Sequence, residues 1–312
     1  MLNFLPSPVL FLINATLAAL NIALWSSLIL MLALLKLVLP IPAVRLKLTA
    51  MANGCMRYWV ILNHATFGLT TRTRWNITGL DDRLSTRGWY LVLSNHMSWA
   101  DIFVVSIVLR DKIPMLKFFL KHQLVYIPLM GMACWALDMP FMRRYSKSQV
   151  AKNPKLKGKD IETTRKACAK FRDTPTSVIN FIEGSRLTPE KHKRQRSPYR
   201  YLLKPKAGGI AFAMATLGDQ FRHVVDLTIV YPGARNKIMA SLLGGELETI
   251  AVDVRVLPMS EVPQGDYDRD KEYRVEFQRW LNVLWQEKDH KIEQLLQEHS
   301  SAPGFYRTLA SK

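Results

Sequence analysis

Residues 9–35, VLFLINATLAALNIALWSSLILMLALL, carry no charged side chain, and the apolar stretch runs on past Lys36 to Leu39 before Pro40. A helix needs about 20 such residues to cross a bilayer, so this run either enters a membrane or is covered by the fold. It lacks the basic leader, short apolar core and small-residue cleavage site of a removable signal. It therefore reads as a retained membrane anchor occupying residues 1–45. Lys36, Arg45, Lys47 and Arg57 follow it and none of residues 1–8 is basic, a bias that puts the remainder of the chain on the cytoplasmic side. A single span is the first expectation. Asn14, Asn21 and the Ser26-Ser27 pair leave open a bent hairpin that never crosses.

Residues 46–312 are expected to form one catalytic domain. Leu48 to Leu69 reads as an amphipathic helix that lies either on a membrane surface or against a core. Arg74 to Leu80, Trp89 to Leu93, Ser177 to Phe181, Val224 to Val230 and Ile250 to Val256 are short runs rich in β-branched and aromatic residues, the pattern of strands. Ile102 to Leu109, Lys117 to Gln123 and Pro128 to Ala136 read as helices between them. Strands alternating with helices argue for an α/β fold with a mainly parallel or mixed central sheet flanked by helices. Tyr273, Phe277, Trp280, Leu281, Leu284, Trp285 and Ile292 recur at helical spacing, so the C-terminal segment is an amphipathic helix expected to pack on the domain. Pro154 to Lys159 is the clearest low-complexity loop.

The formal net charge of +18 is unevenly spread, with 19 Lys and Arg against 5 Asp and Glu between Arg143 and Lys206. Such a tract favours anionic partners: a phosphate-bearing substrate, an anionic lipid surface or nucleic acid. Cys55, Cys134 and Cys168 are widely spaced without a metal-ligand or redox pattern, which suits reduced thiols in a cytosol-facing protein. No metal site is expected.

The strand at Trp89 to Leu93 delivers Asn95 and His96 to its end, with Asp101 five positions after the histidine. A neutral imidazole can take the proton of an attacking hydroxyl, and a carboxylate can fix the ring's tautomer and stabilise the imidazolium. On one regular helix the two side chains would lie roughly 140° apart, so they meet only if a helix starts between them. Ser98-Trp99-Ala100-Asp101 also has the form of a helix capping box, and the two roles are compatible. Further on, Gly184 permits a tight turn, Arg186 offers a fork for phosphate, and Glu183 can hold a ligand hydroxyl or lock the arginine.

In chain order, Asn95-His96-x4-Asp101, Phe141-x2-Arg144 and Phe181-x-Glu183-Gly184-Ser185-Arg186 resemble the successive blocks of the glycerolipid acyltransferase family, which acylates lysophosphatidic acid and other lysophospholipids. The resemblance covers residues 89–289 and extends to EGSRLTPEKH at Glu183 to His192, LLKPKAGG at Leu202 to Gly209 and WLNVLWQEKD at Trp280 to Asp289. It implies that His96 and Asp101 are catalytic and that Phe141, Arg144, Glu183, Gly184, Ser185 and Arg186 bind the phosphorylated acceptor. It also implies acyl-CoA or acyl carrier protein as donor substrate with no cofactor, a lysophospholipid acceptor, and a bacterial inner-membrane location. The chain departs from the family pattern at Asp138, where glycine is usual, and at Ile182 and Ser185, where proline and threonine are common. Two rival readings are a membrane-tethered nucleic-acid-binding protein and an inactive scaffold. The chain lacks the aromatic pattern of RNA-binding sheets and zinc-finger spacing, and the intact His96 and Asp101 count against the scaffold.

Overall fold

The structure is a computed structural model that describes residues 2, 4–142, 171–172, 174–234, 237–267, 269–299 and 306. Arg144, Cys168 and the Pro154 to Lys159 loop lie outside the described residues. The helices are α1 (Ser7–Val38), α2 (Pro42–Thr70), α3 (Ala100–Leu109), α4 (Met130–Ala136), α5 (Pro189–Gln195), α6 (Gly208–Leu217), α7 (Ile238–Leu243) and α8 (Lys271–Glu298). The strands are β1 (Arg74–Thr78), β2 (Tyr90–Ser94), β3 (Leu116–Phe118), β4 (Leu120–Lys121), β5 (Phe141–Met142), β6 (Ser177–Phe181), β7 (His223–Val230) and β8 (Thr249–Pro258).

Six strands form one sheet in the order β1-β8-β7-β2-β6-β3, and β4 pairs with β5 in a separate two-stranded piece. Every pairing in the large sheet is parallel except β7 with β8. All five residues of β2 are buried, as a central strand covered on both faces must be. The parallel strands β2, β6 and β7 therefore end on the same edge, where open α/β sheets place their ligand crevice. Helix α8 caps the domain from the C-terminal side: Tyr273, Phe277, Leu281, Leu284, Trp285 and Ile292 are all buried, the face expected from their spacing.

The Lys117 to Gln123 region does not form the expected helix. Leu116–Phe118 pairs with β6 as an edge strand, Leu120–Lys121 pairs with β5, and His122–Tyr126 is a 3-10 turn. Phe118-Phe119-Leu120 suits a strand, and the partner that decides the matter lies some 60 positions away in sequence, since Phe118 registers on Ile179. Lys117 is buried against the carbonyl of Leu137 at 2.6 Å, and burial depresses its ammonium to a pKa of about 8.

Helix α1 is long and apolar enough to cross a membrane, but it folds back on α2 as an antiparallel hairpin. The Leu2 amide donates to the Leu69 carbonyl, Trp25 stacks on Tyr58 at 5.5 Å, and Asn21 Nδ2 donates to the Trp59 carbonyl at 3.1 Å. The hairpin is also fastened to the sheet domain. Asn14 Nδ2 donates to Leu243 O at 2.7 Å and Ser7 Oγ to Glu246 at 2.8 Å, and α1 packs along α4. A helix bonded to the domain in its first half and packed on α4 lies along the domain rather than projecting from it. Its outer face remains apolar, with Leu12, Leu20, Leu34, Leu37 and Val38 exposed.

Candidate active site

The fully buried β2 carries the chain to the buried Asn95, whose side chain behaves like an extra strand residue. Its Nδ2 donates to the Ile229 carbonyl and its Oδ1 accepts from the Ile229 amide, both at 2.8 Å. This pair ties the end of β2 to β7 just before the chain turns into His96. The turn between His96 and α3 then brings Asp101 back toward the imidazole, and His96 Nδ1 lies 2.8 Å from Asp101 Oδ2.

Asp101 is fully buried and both of its oxygens accept hydrogen bonds. Oδ2 also accepts from the amides of Met97 at 2.6 Å and Ser98 at 2.9 Å, while Oδ1 accepts from the Tyr231 hydroxyl at 2.6 Å. The helix-capping and histidine-orienting roles are thus combined in one carboxylate. With the Nδ1 proton directed at Asp101, the Nε2 lone pair is the free acceptor of the ring. The His96 side chain is 15% exposed, enough to meet a substrate, and its ring stacks on Phe181 with centroids 4.2 Å apart.

The loop after β6 clamps this turn from the other side. Glu183 Oε1 accepts from the His96 amide at 2.8 Å, Glu183 Oε2 accepts from the Leu203 amide at 2.9 Å, and the His96 carbonyl accepts from the Leu187 amide at 2.7 Å. Glu183 was expected to face a ligand or lock the arginine; instead it is fully buried, with each oxygen occupied by a main-chain donor. Burial pushes its carboxyl up to about 8, opposed by those two amides. Gly184 adopts φ +66° as its amide closes a tight turn onto Phe181 O at 2.8 Å, a conformation open to glycine at no steric cost. Ser185 is half-buried in the same turn. Arg186 is exposed, and its guanidinium carbon lies 5.1 Å from the centroid of Trp99, an exposed ring in the His96–Asp101 turn. Phe141 pairs with Leu120 in the small sheet beyond edge strand β3. Asp138, three residues earlier, has φ +57°, a left-handed conformation that glycine adopts freely and that aspartate tolerates better than most side chains.

The outlying motifs brace the same centre. Trp285 Nε1 donates to Leu203 O at 3.0 Å, and Asp289 accepts from the amides of Arg200 and Tyr201, both at 2.8 Å. Thr188 caps α5, and the buried His192 ring is 2.7 Å from Tyr199 O. At Gly209 a Cβ would come within 2.4 Å of the Asn180 amide nitrogen, so glycine lets α6 approach β6 without displacing that side chain. Tyr231, which sequence reasoning missed, lies 130 positions from Asp101 and carries no local signal. Among the described residues no group of three or more His, Cys, Asp or Glu is placed to hold a metal.

The family model "Acyltransferase" matches residues 75–232, half of the chain and the whole of this centre. The chain belongs to the acyltransferase family. Among curated proteins it is 26% identical over 212 residues to the 1-acyl-sn-glycerol-3-phosphate acyltransferase delta of Mus musculus, covering 64% of this chain and 51% of that one. The gamma enzyme of Homo sapiens is 24% identical over 198 residues, covering 60% of this chain and 47% of its own. The chain thus spans about half the length of the curated relatives it matches. The crystal structure of the 1-acyl-sn-glycerophosphate acyltransferase PlsC from Thermotoga maritima superposes with a TM-score of 0.55 at 14% identity, over 92% of this chain and 96% of that one. At that identity the likeness concerns the fold.

Proposed function

We propose that this member of the family moves a fatty acyl group from an acyl thioester to a free hydroxyl of lysophosphatidic acid or a related lysophospholipid. The observation that carries the reading is the His96–Asp101 contact at 2.8 Å at the carboxyl end of β2, with the carboxylate buried and the imidazole partly open. His96 Nε2 removes the hydroxyl proton as the oxygen attacks the thioester carbonyl, and Asp101 stabilises the imidazolium. The tetrahedral oxyanion collapses, the carbon–sulfur bond breaks, and the imidazolium returns the proton to the departing thiolate. An ester and a free thiol result. The thiol ester comes from acyl-CoA or acyl carrier protein as a substrate, and no resident cofactor takes part.

Arg186, held beside the site on Trp99, is suited to the acceptor phosphate; Arg144, Phe141, Gly184 and Ser185 are assigned to the same headgroup by the family resemblance. A cavity of about 260 Å³ lies between α2, α3 and β3, lined by Val60, Leu109, Ile113 and Phe118 among other apolar residues and also by Arg57 and Asp111. The Phe118 ring is 6.4 Å from Phe181, which stacks on His96, so this cavity is well placed for an acyl chain.

The membrane is met by the outer face of the α1–α2 hairpin. Between Tyr126 and Trp135 the side chains of Tyr126, Ile127, Leu129, Met132 and Trp135 are also exposed, and α4 packs along α1. Apolar surface of this extent on adjoining elements suits insertion into one leaflet, with basic residues against anionic headgroups. The proposed location of this surface is the cytoplasmic face of a bacterial inner membrane, in line with the basic residues that follow the apolar run. The test is a mass-spectrometric assay of the detergent-extracted protein with a panel of lysophospholipids and both donor types. Acylation of none of them, with release of no free thiol, would refute the proposal.

A further inference from the structure

We propose that Tyr231 is a positioning residue for the catalytic pair, acting through the second oxygen of Asp101. The inference rests on the base assignment to His96 and adds to it. Among the described residues the donors around Asp101 are unevenly divided: His96 Nδ1 and the amides of Met97 and Ser98 bind Oδ2, and Tyr231 alone binds Oδ1, at 2.6 Å. Rotation about the Cβ–Cγ bond is opposed at Oδ2 by the imidazole and the two amides, and at Oδ1 by the Tyr231 hydroxyl. Every such turn would move the acceptor on which the imidazole is aligned. The Tyr231 hydroxyl adds the restraint on the opposite oxygen, so that small rotations tilting Oδ2 away from the imidazole cost a further buried hydrogen bond.

Tyr231 is itself fully buried and so reaches no substrate. It follows β7 directly, the strand that the Asn95 side chain ties to the end of β2. Its amide donates to the Tyr306 hydroxyl at 3.1 Å, and that hydroxyl in turn donates to Met97 Sδ at 3.1 Å. The ring is thereby fixed at its main chain and at its hydroxyl. Burial, reinforced by the neighbouring carboxylate, holds the phenol well above its ordinary pKa, so it remains a donor across the working range. Outer-shell partners that orient a reacting group are worth roughly tenfold or more when removed.

The experiment is a kinetic cycle on the detergent-solubilised full chain, with lysophosphatidic acid and acyl-CoA as probes. Tyr231→Phe should lower kcat about tenfold with both KM values within about twofold of wild type. In an Asp101→Asn background the same substitution should change kcat less than about twofold, since the carboxylate it orients is gone. Unchanged kcat in Tyr231→Phe, with His96→Ala inactive, would overturn the inference while leaving the base assignment standing. A full tenfold loss persisting in the Asp101→Asn background would overturn it too, by showing a merely structural role. Activity retained by His96→Ala would instead remove the base assignment itself. Should Tyr231→Phe fold poorly, 3-fluorotyrosine placed at 231 keeps the shape and alters the hydroxyl's acidity. A kcat that changes with unchanged KM would then support the role, and unchanged kcat would exclude it.

Discussion

Replacing Glu183 by alanine separates a brace from a ligand. The substitution strands the amides of His96 and Leu203, both of which end on this carboxylate at 2.8 and 2.9 Å. A buried donor left without its acceptor costs about 1–3 kcal/mol, so the pair together cost about 2–6 kcal/mol, with no solvent to soften the loss. That is a large share of a typical domain's stability of about 5–15 kcal/mol. Glu183→Gln keeps one acceptor oxygen and should lose roughly half as much. The pH dependence has a definite sign. Burial raises the folded-state carboxyl from 4.5 to about 8, so the native protein holds this proton at pH values where the unfolded chain has released it. Stability from this group is therefore greatest below about pH 4.5 and declines as pH rises toward 8, by roughly 1.4 kcal/mol per unit at most. Glu183→Gln should lack that decline, so the difference between wild type and variant narrows or reverses from about pH 5 to pH 8. Thermal and denaturant unfolding in detergent, followed across that range, measure both quantities. If Glu183→Ala unfolded like wild type and only its acceptor KM rose, Glu183 would be a substrate ligand and the brace would be wrong.

Other perturbations test neighbouring parts of the account. Arg186→Ala should raise the KM for lysophosphatidic acid about tenfold with kcat nearly unchanged, because a charge-assisted contact to phosphate is lost; an unchanged acceptor KM would remove this residue from the headgroup site. Trp99→Ala should raise the same KM by a smaller factor, about two- to fivefold, in line with an exposed cation–π contact of about 0.5–1 kcal/mol; an effect larger than that of Arg186→Ala would mean the ring binds substrate directly. Asn95→Leu removes two buried hydrogen bonds to Ile229 and should lower the melting midpoint by roughly 5–15 °C, read by calorimetry; an unaltered midpoint would deny that this side chain secures β2 to β7. Met132→Glu combined with Trp135→Glu should weaken co-flotation with anionic vesicles while preserving turnover of short-chain substrates in solution, and undiminished flotation would exclude the 126–135 segment from the membrane surface.

The parts of the fold that were legible in the sequence are those specified within a dozen residues. The strands at residues 90–94, 177–181 and 223–230 announce themselves as short β-branched runs, and α8 by its apolar stripe. His96 and Asp101 are close in sequence, and a helix starting between them is the only way to join them, so their contact could be anticipated. What required coordinates depends on distant partners. Lys117 to Phe118 becomes a strand because β6 offers it an edge. The buried role of Glu183 follows from the amide of Leu203, twenty positions on. Tyr231 reaches Asp101 only because β7 and β2 are neighbours in the sheet. The apolar run at residues 9–35 showed that a membrane or a fold must cover it, yet only the bonds from Asn14 to Leu243 and from Asn21 to Trp59 showed that it lies along the domain.

The proposed transfer turns on one imidazole, that of His96. Free thiol released per minute from acyl-CoA and lysophosphatidic acid, compared between the wild-type protein and His96→Ala, tests it most directly. Loss of the general base should slow turnover by about a hundredfold or more, with substrate KM values largely retained. Turnover by His96→Ala within a few fold of wild type would contradict the account.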